Sequence, residues 1–419
     1  MSELETSLRH PDWPHSTPPP SPIHALFSNS PPLPGPERNE GSAAPGERPS
    51  HAGEEDRNKR RREPAHAQRT FQPGRAGLVL AVLPALLIAA VFTAVGTGAV
   101  AISPREILAI FASHGGVSLP WTFAPHQDAV LWDIRLPRVV LGALVGATLA
   151  VAGATLQGLF RNPLADPALI GVSSGAALAA VAVIVLGATV LQGLNELLGV
   201  FTLPLAAFGG GLLTTLLVYR LANVGGRTSV ATMLLAGIAI NALVGACTGM
   251  LTYIADDQQL RSLTFWSMGS LGGANWSQVA AVAPIMILAL VVLTLQARAL
   301  DALLLGEAEA GHLGFDAERI KRQCVVWVAL AVGMAVAMSG IIGFLGLVVP
   351  HLLRLALGPN HRYVLPGSLL LGATLLITAD LAARVSVAPA ELPIGMLTAV
   401  LGGPFFLWLL WRSRRKGEL

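Results

Sequence analysis

Between Asp133 and Ala177 an arginine-flanked apolar run, Val139 to Gln157, meets a polar, proline-broken turn, RNPLADP from Arg161 to Pro167. A second apolar run then opens on Gly171, Ser173, Ser174 and Gly175. Backbone that leaves the helix at membrane hydrophobicity survives only where protein or a water-filled path satisfies its N–H and C=O groups. A helix, a broken turn and a second helix start made of small residues therefore predict the core of a transporter.

Composition places that core in a bilayer. The 419 residues are 53% hydrophobic and 13% charged, against about 25% charged in an ordinary soluble domain. One soluble core cannot hide so much apolar surface, so most of it must face lipid or other spanning helices. The net charge of +3 sets orientation in the membrane and is no footprint of nucleic-acid binding. The two cysteines, Cys247 and Cys324, both fall in apolar runs. They predict buried small hydrophobes, with neither a disulfide framework nor a metal site.

Residues 1–75 are rich in Pro, Ser, Gly and scattered charge. They hold too little apolar surface to offset the entropy of ordering, which predicts a disordered tail. The tail ends in a basic cluster, Arg57, Lys59, Arg60, Arg61, Arg62, Arg69 and Arg75, suited to holding the N-terminus in the cytoplasm against anionic lipid. Residues 76–419 form the transmembrane domain. Apolar runs near the roughly 20 residues a crossing requires predict an all-α protein with spans at 77–99, 137–158, 168–187, 198–221, 229–254, 276–296, 322–340, 341–357, 364–385 and 393–411. The eighth is short, so a count of about nine is the alternative. Arginine and lysine concentrate in the alternate loops that would be inside, and the bias predicts both termini in the cytoplasm.

One faint echo points to an inverted repeat. Arg138-Val139-Val140 leading to Leu149–Ala152 resembles Arg322–Val326 leading to Ala335–Ala337, and each run meets a glycine-rich break, from Gly158 and from Gly340. On the predicted topology the two runs cross in opposite directions, as in inverted-topology repeats.

Catalytic machinery is absent from the sequence. The three lysines, Lys59, Lys321 and Lys416, close no G-x-x-x-x-G-K-[ST] loop, so any energy source lies on a partner. The loop from Ala299 to Arg319 offers a place for one. Leu303, Leu304 and Leu305 precede Gly306, Glu307 to Leu313 fits a short helix ended by Gly314, and Phe315 to Arg322 begins the next helix. Two short helices hinged at glycine, acidic and leucine-bearing, suit the docking of a soluble protein, although a plain solvated connector fits the same residues.

Seven long stretches carry a resemblance: DIRLPR (Asp133–Arg138), GATLQGLFRNPLADP (Gly153–Pro167), IGVSSGA (Ile170–Ala176), LLAGIAINAL (Leu234–Leu243), LLLGEAEAGHLG (Leu303–Gly314), SGIIGFLGLVVPHLLR (Ser339–Arg354) and ELPIGMLTAVLGGPFFLWLL (Glu391–Leu410). From about residue 77 onward the chain resembles the FecCD/BtuC-like permease subunits of iron-siderophore, haem and cobalamin ABC importers, most closely the haem branch. The resemblance implies a type II importer permease of about ten spans, working as a homodimer in the bacterial inner membrane. It implies two ATP-binding cassette subunits, which would hold the ATP and Mg, and a periplasmic or lipid-anchored substrate-binding protein. This chain itself would bind no cofactor or metal. The loop residues Leu303, Gly306, Glu307, Leu313 and Gly314 would couple to the ATPase. Arg135, Arg138 and Arg384 would meet carboxylates of the binding protein, although Arg384 also lies four residues from Asp380 and could neutralise it.

The resemblance also makes the helix holding Asn241 line the translocation path. Arg261, Phe265, Trp266 and Met268 would meet a flat ring bearing propionates, or else sit as an interfacial gating helix. His351 matches a pattern shared across substrates and is structural. The alternative substrates are a ferric siderophore and cobalamin. The rival class, an ion-coupled secondary transporter, would need ionisable residues buried in mid-span, for which only Asp380 qualifies.

Overall fold

The computed structural model describes residues 73–225, 227–387 and 390–416. The expected tail and its basic cluster up to Arg69 lie outside the described residues, as do the side chains of Arg75 and of Arg412 to Lys416.

The chain begins with α1 (Pro73–Gly96) and α2 (Pro104–His114). A short α3 (Pro125–Ala129) passes through a π-helical turn, Val130–Arg135, into α4 (Leu136–Leu159). After the broken turn come α5 (Val172–Leu186), α6 (Gln192–Leu198) and α7 (Thr202–Ala222). A small antiparallel hairpin follows, β1 (Asn223–Val224) with β2 (Arg227–Thr228). Next are α8 (Val230–Tyr253), α9 (Asp257–Ser267) and α10 (Trp276–Leu295). Two short helices, α11 (Ala297–Leu305) and α12 (Glu307–His312), lead to α13 (Ala317–Ser339). The chain closes with α14 (Leu345–Leu357), α15 (His361–Val385) and α16 (Ile394–Lys416).

Among the described residues seven helices are long and apolar enough to cross a membrane. The shorter apolar helices Val172–Leu186, Leu345–Leu357 and Ile394–Trp408 occupy the third, eighth and tenth expected spans. Boundaries differ where caps decide them. The second expected span is the end of a continuous helical stretch from Pro125 to Leu159. The third starts at Val172 rather than residue 168, because Pro167–Ile170 is a 3-10 turn. The ninth starts early, at His361, where the Asn360 side chain accepts the Arg362 N–H at 2.9 Å. The loops also hold α2, α3 and α6, which hydropathy alone does not announce.

The core is built around α4, which packs against α10, α13, α14 and α15. Lipid tails are as apolar as leucine, so helices in a bilayer gain from close backbone approach rather than from hydrophobic burial. Glycine permits that approach. A Cβ on Gly146 would strike the Gly372 carbonyl of α15, and one on Gly153 the Gly346 carbonyl of α14. Helices α5 and α7 meet in the same way at Gly175 and Gly210. The pairs Gly158 with His361, Gly146 with Gly372 and Arg138 with Asp380 show α4 and α15 running antiparallel.

The two breaks are alike. After α4 the chain turns through Arg161 at φ 50° and Gly171 at φ 85° before α5 begins. After α13 it turns through Gly340 at φ 68° and Phe344 at φ 67° before α14 begins. The Ser339 carbonyl, at the end of α13, accepts the Ser270 N–H at 2.8 Å, close to Gly272 beside Arg138 at the start of α4. So α13 ends where α4 starts, and the two broken helices cross in opposite directions, as the sequence echo requires.

Candidate functional site

One end of the bundle carries α11 and α12. Gly306 joins them at φ 129°, and Gly314 follows α12 at φ 86°. Both values are backbone that glycine adopts at no steric cost. Leu305 and Leu313 are exposed, at 68% and 60%, and Leu304 is partly so. Leu303 is 2% exposed and belongs to the core, a correction to its expected place on the docking surface. The helical period explains it: α11 lies along the bundle and turns Leu300 and Leu303 inward, three residues apart.

Two polar clusters fasten this end to the bundle. The buried Lys321 of α13 donates to Glu307 and Glu318 at 2.8 Å each and to the Thr228 carbonyl at 2.9 Å. One ammonium thus joins α12, α13 and the hairpin. Asp301 of α11 accepts the His361 N–H at 3.0 Å and pairs with His361 Nδ1 at 2.7 Å. The His361 ring lies against Gly158, just before the first break. Arg354 of α14 donates to Gln157, whose amide donates to the Gly346 carbonyl at 3.0 Å. Polar contacts thus join α12 to α13 and α11 to α15, and the His361 ring of α15 packs on α4 at Gly158.

At the first break, Asn241 of α8 donates to the Ala168 carbonyl at 3.1 Å. Its amide oxygen accepts from Ser174, whose hydroxyl also lies 3.1 Å from the Gly171 carbonyl. Asn241 thus satisfies backbone freed by the broken helix. Gly237, one turn earlier, fits against the Leu169 carbonyl. The expectation of a path-lining side chain is modified here: Asn241 spends its hydrogen bonds on the break.

The opposite end carries the arginines. Arg135 is buried and donates to the carbonyls of Val95, at 2.6 Å, and Val100. Arg138 is also buried. Its Nε lies 3.0 Å and its Nη2 2.8 Å from Asp380, and Nη1 and Nη2 donate to the two oxygens of Glu391 at 2.9 Å each. Arg384 donates to Asp380 at 3.2 Å and to the Ala94 carbonyl at 3.0 Å. All three guanidiniums are used within the chain, contrary to the expectation of free docking arginines. For Arg138 and Arg384 the cause is Asp380: a carboxylate buried this deeply needs opposite charge and hydrogen bonds, and it takes both from them, whereas Arg135 satisfies the backbone carbonyls of Val95 and Val100. Glu391 stays 45% exposed at this end while it accepts from Arg138.

The gating segment divides. Arg261 and Phe265 are exposed on α9, and Arg261 Nε donates to the Asp257 carbonyl of its own helix at 3.2 Å. Trp266 packs on the core, and the Met268 carbonyl accepts the Gly395 N–H at 2.9 Å, binding α9 to the start of α16. Cys324 is buried as expected, whereas Cys247 is exposed on α8. Half-buried His351 lies edge-on to Phe405, with ring centres 6.0 Å apart. Among the described residues no cluster of His, Cys, Asp and Glu could hold a metal.

Multiple crossings, two inverted broken helices and a hinged protrusion at one end define a multi-pass membrane transport protein. The model of the FecCD transport family matches residues 86–412, and the chain belongs to that family. It is 50% identical over 287 residues to the hemin transport system permease protein HmuU of Yersinia pestis, covering 68% of this chain and 84% of that one. It is 44% identical to the cobalamin import system permease protein BtuC of Halobacterium salinarum, covering 70% and 76%. A solved structure described as an inward-facing ABC transporter of the metal-chelate type shares 32% identity at a TM-score of 0.69, covering 80% of this chain and 99% of that one. The chain is thus the permease subunit of an ABC importer. Its family implies a separate ATPase and a substrate-binding protein as partners, and permease subunits of this kind are not themselves enzymes.

Proposed function

We propose that the chain imports haem across the bacterial inner membrane, as a homodimer on two ATP-binding cassette subunits, with both termini in the cytoplasm. A periplasmic or lipid-anchored binding protein delivers the ligand. The observation that carries the mechanism is the protrusion formed by α11 and α12. It is hinged at Gly306 and Gly314, apolar at Leu305 and Leu313, and joined through Lys321 and Asp301 to helices next to both breaks. ATP-driven movement of the cassettes against this protrusion would tilt α13 and α15, and α4 with them, opening the path alternately to either side.

Support for haem comes from the hemin permease at 50% identity and from exposed Arg261 and Phe265 on α9. Arginine pairs with propionates and an aromatic ring stacks on a macrocycle. Cobalamin is the second reading, because two cobalamin-type relatives stand at 44% and 42% identity.

The coupling assignment is tested by Glu307→Ala combined with Leu313→Ala. Co-purification of the ATPase should fall about tenfold, as for the loss of an interface residue worth ~1.4 kcal/mol. Undiminished assembly and transport would remove the coupling role from α12.

A further inference from the structure

On the α11–α12 end, a polar pocket of about 380 Å³ opens between the base of α7 and the start of α13. Tyr219, Asn223, Asp316, Glu318, Arg319 and Arg322 line it. The coupling mechanism uses none of the two arginines, the tyrosine or the asparagine.

The acids of the pocket are already engaged. Glu318 accepts the Thr228 N–H at 2.9 Å and the Lys321 ammonium at 2.8 Å. Asp316 caps α13, accepting the Arg319 N–H at 3.0 Å. Among the described residues neither the Arg319 nor the Arg322 guanidinium has a hydrogen-bond or ion-pair partner. The two stand three residues apart, so they share one face of α13. Tyr219 and Asn223 add a hydroxyl and an amide from the other wall. Two unpaired guanidinium forks with neutral donors opposite them match a phosphate group.

The surroundings indicate what brings the phosphate. On α7 the side chains Leu213, Leu216, Leu217 and Leu221 form an exposed apolar stripe, and Arg220 is exposed within it. The pocket lies where that stripe ends. Acyl chains along the leucines would place a headgroup at the level of Arg319 and Arg322.

We infer that this pocket binds the headgroup phosphate of an anionic phospholipid. The bound lipid would brace the base of α13 beside the Lys321 cluster. This inference needs only that the helices cross a bilayer, and it does not rest on the haem assignment.

The test uses the full chain purified in detergent, with native mass spectrometry after addition of equal phosphatidylglycerol and phosphatidylcholine. Arg319→Gln and Arg322→Gln are compared with Arg362→Gln, an exposed arginine near the same end but outside the pocket. Phosphatidylglycerol retention should fall about fivefold for each pocket arginine removed, the effect of one basic residue near an anionic surface. Arg362→Gln should change it less than about twofold. Tyr219→Phe should lower retention without altering the melting temperature. An equal loss from Arg362→Gln would show general charge attraction and overturn the proposal. Unchanged retention in the double variant would also overturn it. So would competition by free glycerol phosphate at the lipid's own concentration, which would point to a soluble anion. Loss of ATPase assembly with retention intact would assign the pocket to a protein partner, again against the proposal.

Discussion

Asp380 shows how one buried charge governs its neighbours. Its carboxylate is 3% exposed and held by Arg138 and Arg384. Removing one partner of a buried ion group leaves the others uncompensated, at a cost of about 3–5 kcal/mol. Asp380→Ala should lower stability by that amount in denaturation of the detergent-solubilised chain. Glu391 meets the same arginine from a solvated position, so Glu391→Ala should cost no more than about 1 kcal/mol. The reverse order would mean that the outer pair holds the cluster. Part of this network was legible in the sequence, because Arg384 follows Asp380 by four residues and shares its helix face. The role of Arg138 was not, since its partner lies 242 positions away. Nothing local distinguishes a docking arginine from one bound internally. Lys321 was legible only in part: Glu318 stands three residues before it, but its partner carbonyl, Thr228, lies 93 positions back.

At the scale of elements, the bundle depends on backbone approach through glycine. Gly153 faces the Gly346 carbonyl with no room for a Cβ, whereas nothing lies within 4 Å of a Cβ added at Gly245. Gly153→Ala should destabilise by about 1–3 kcal/mol or more through overpacking. Gly245→Ala should be neutral, or stabilising by up to about 1 kcal/mol through helix propensity. Equal melting temperatures for the two variants would contradict the account. Spans were legible because about 20 apolar residues leave few alternatives to a crossing helix. The glycine hinges at Gly306 and Gly314 were legible because a glycine after a short helical pattern marks its end. Helix α2 was missed by hydropathy and α9 stood only as one of two readings of its segment, yet the capping boxes of both are in the sequence. Ser103 and Glu106 cap α2, and Asp256 and Gln259 cap α9. The hairpin of β1 and β2 also leaves a local signal, the Gly225-Gly226 pair between its strands.

At the scale of the molecule, two oppositely directed broken helices pack against each other, and one end bears a hinged protrusion. Alternating access asks for such an arrangement: rigid units that rock about a fixed site and a lever that moves them. On the proposed mechanism the chain supplies the lever and the rocking units, and the ATPase that its family implies supplies the force. The most direct measurement is uptake into lipid vesicles that contain the permease with its ATPase and enclose no ATP or saturating ATP. The binding protein is added empty or loaded in turn with haem, a ferric siderophore or cobalamin. ATP-dependent uptake of haem, with hydrolysis stimulated about tenfold over the empty binding protein, a size usual for coupling between sites, is the predicted result. Uptake of haem that proceeds without ATP, or hydrolysis indifferent to every loaded binding protein in a fully assembled complex, would contradict the account.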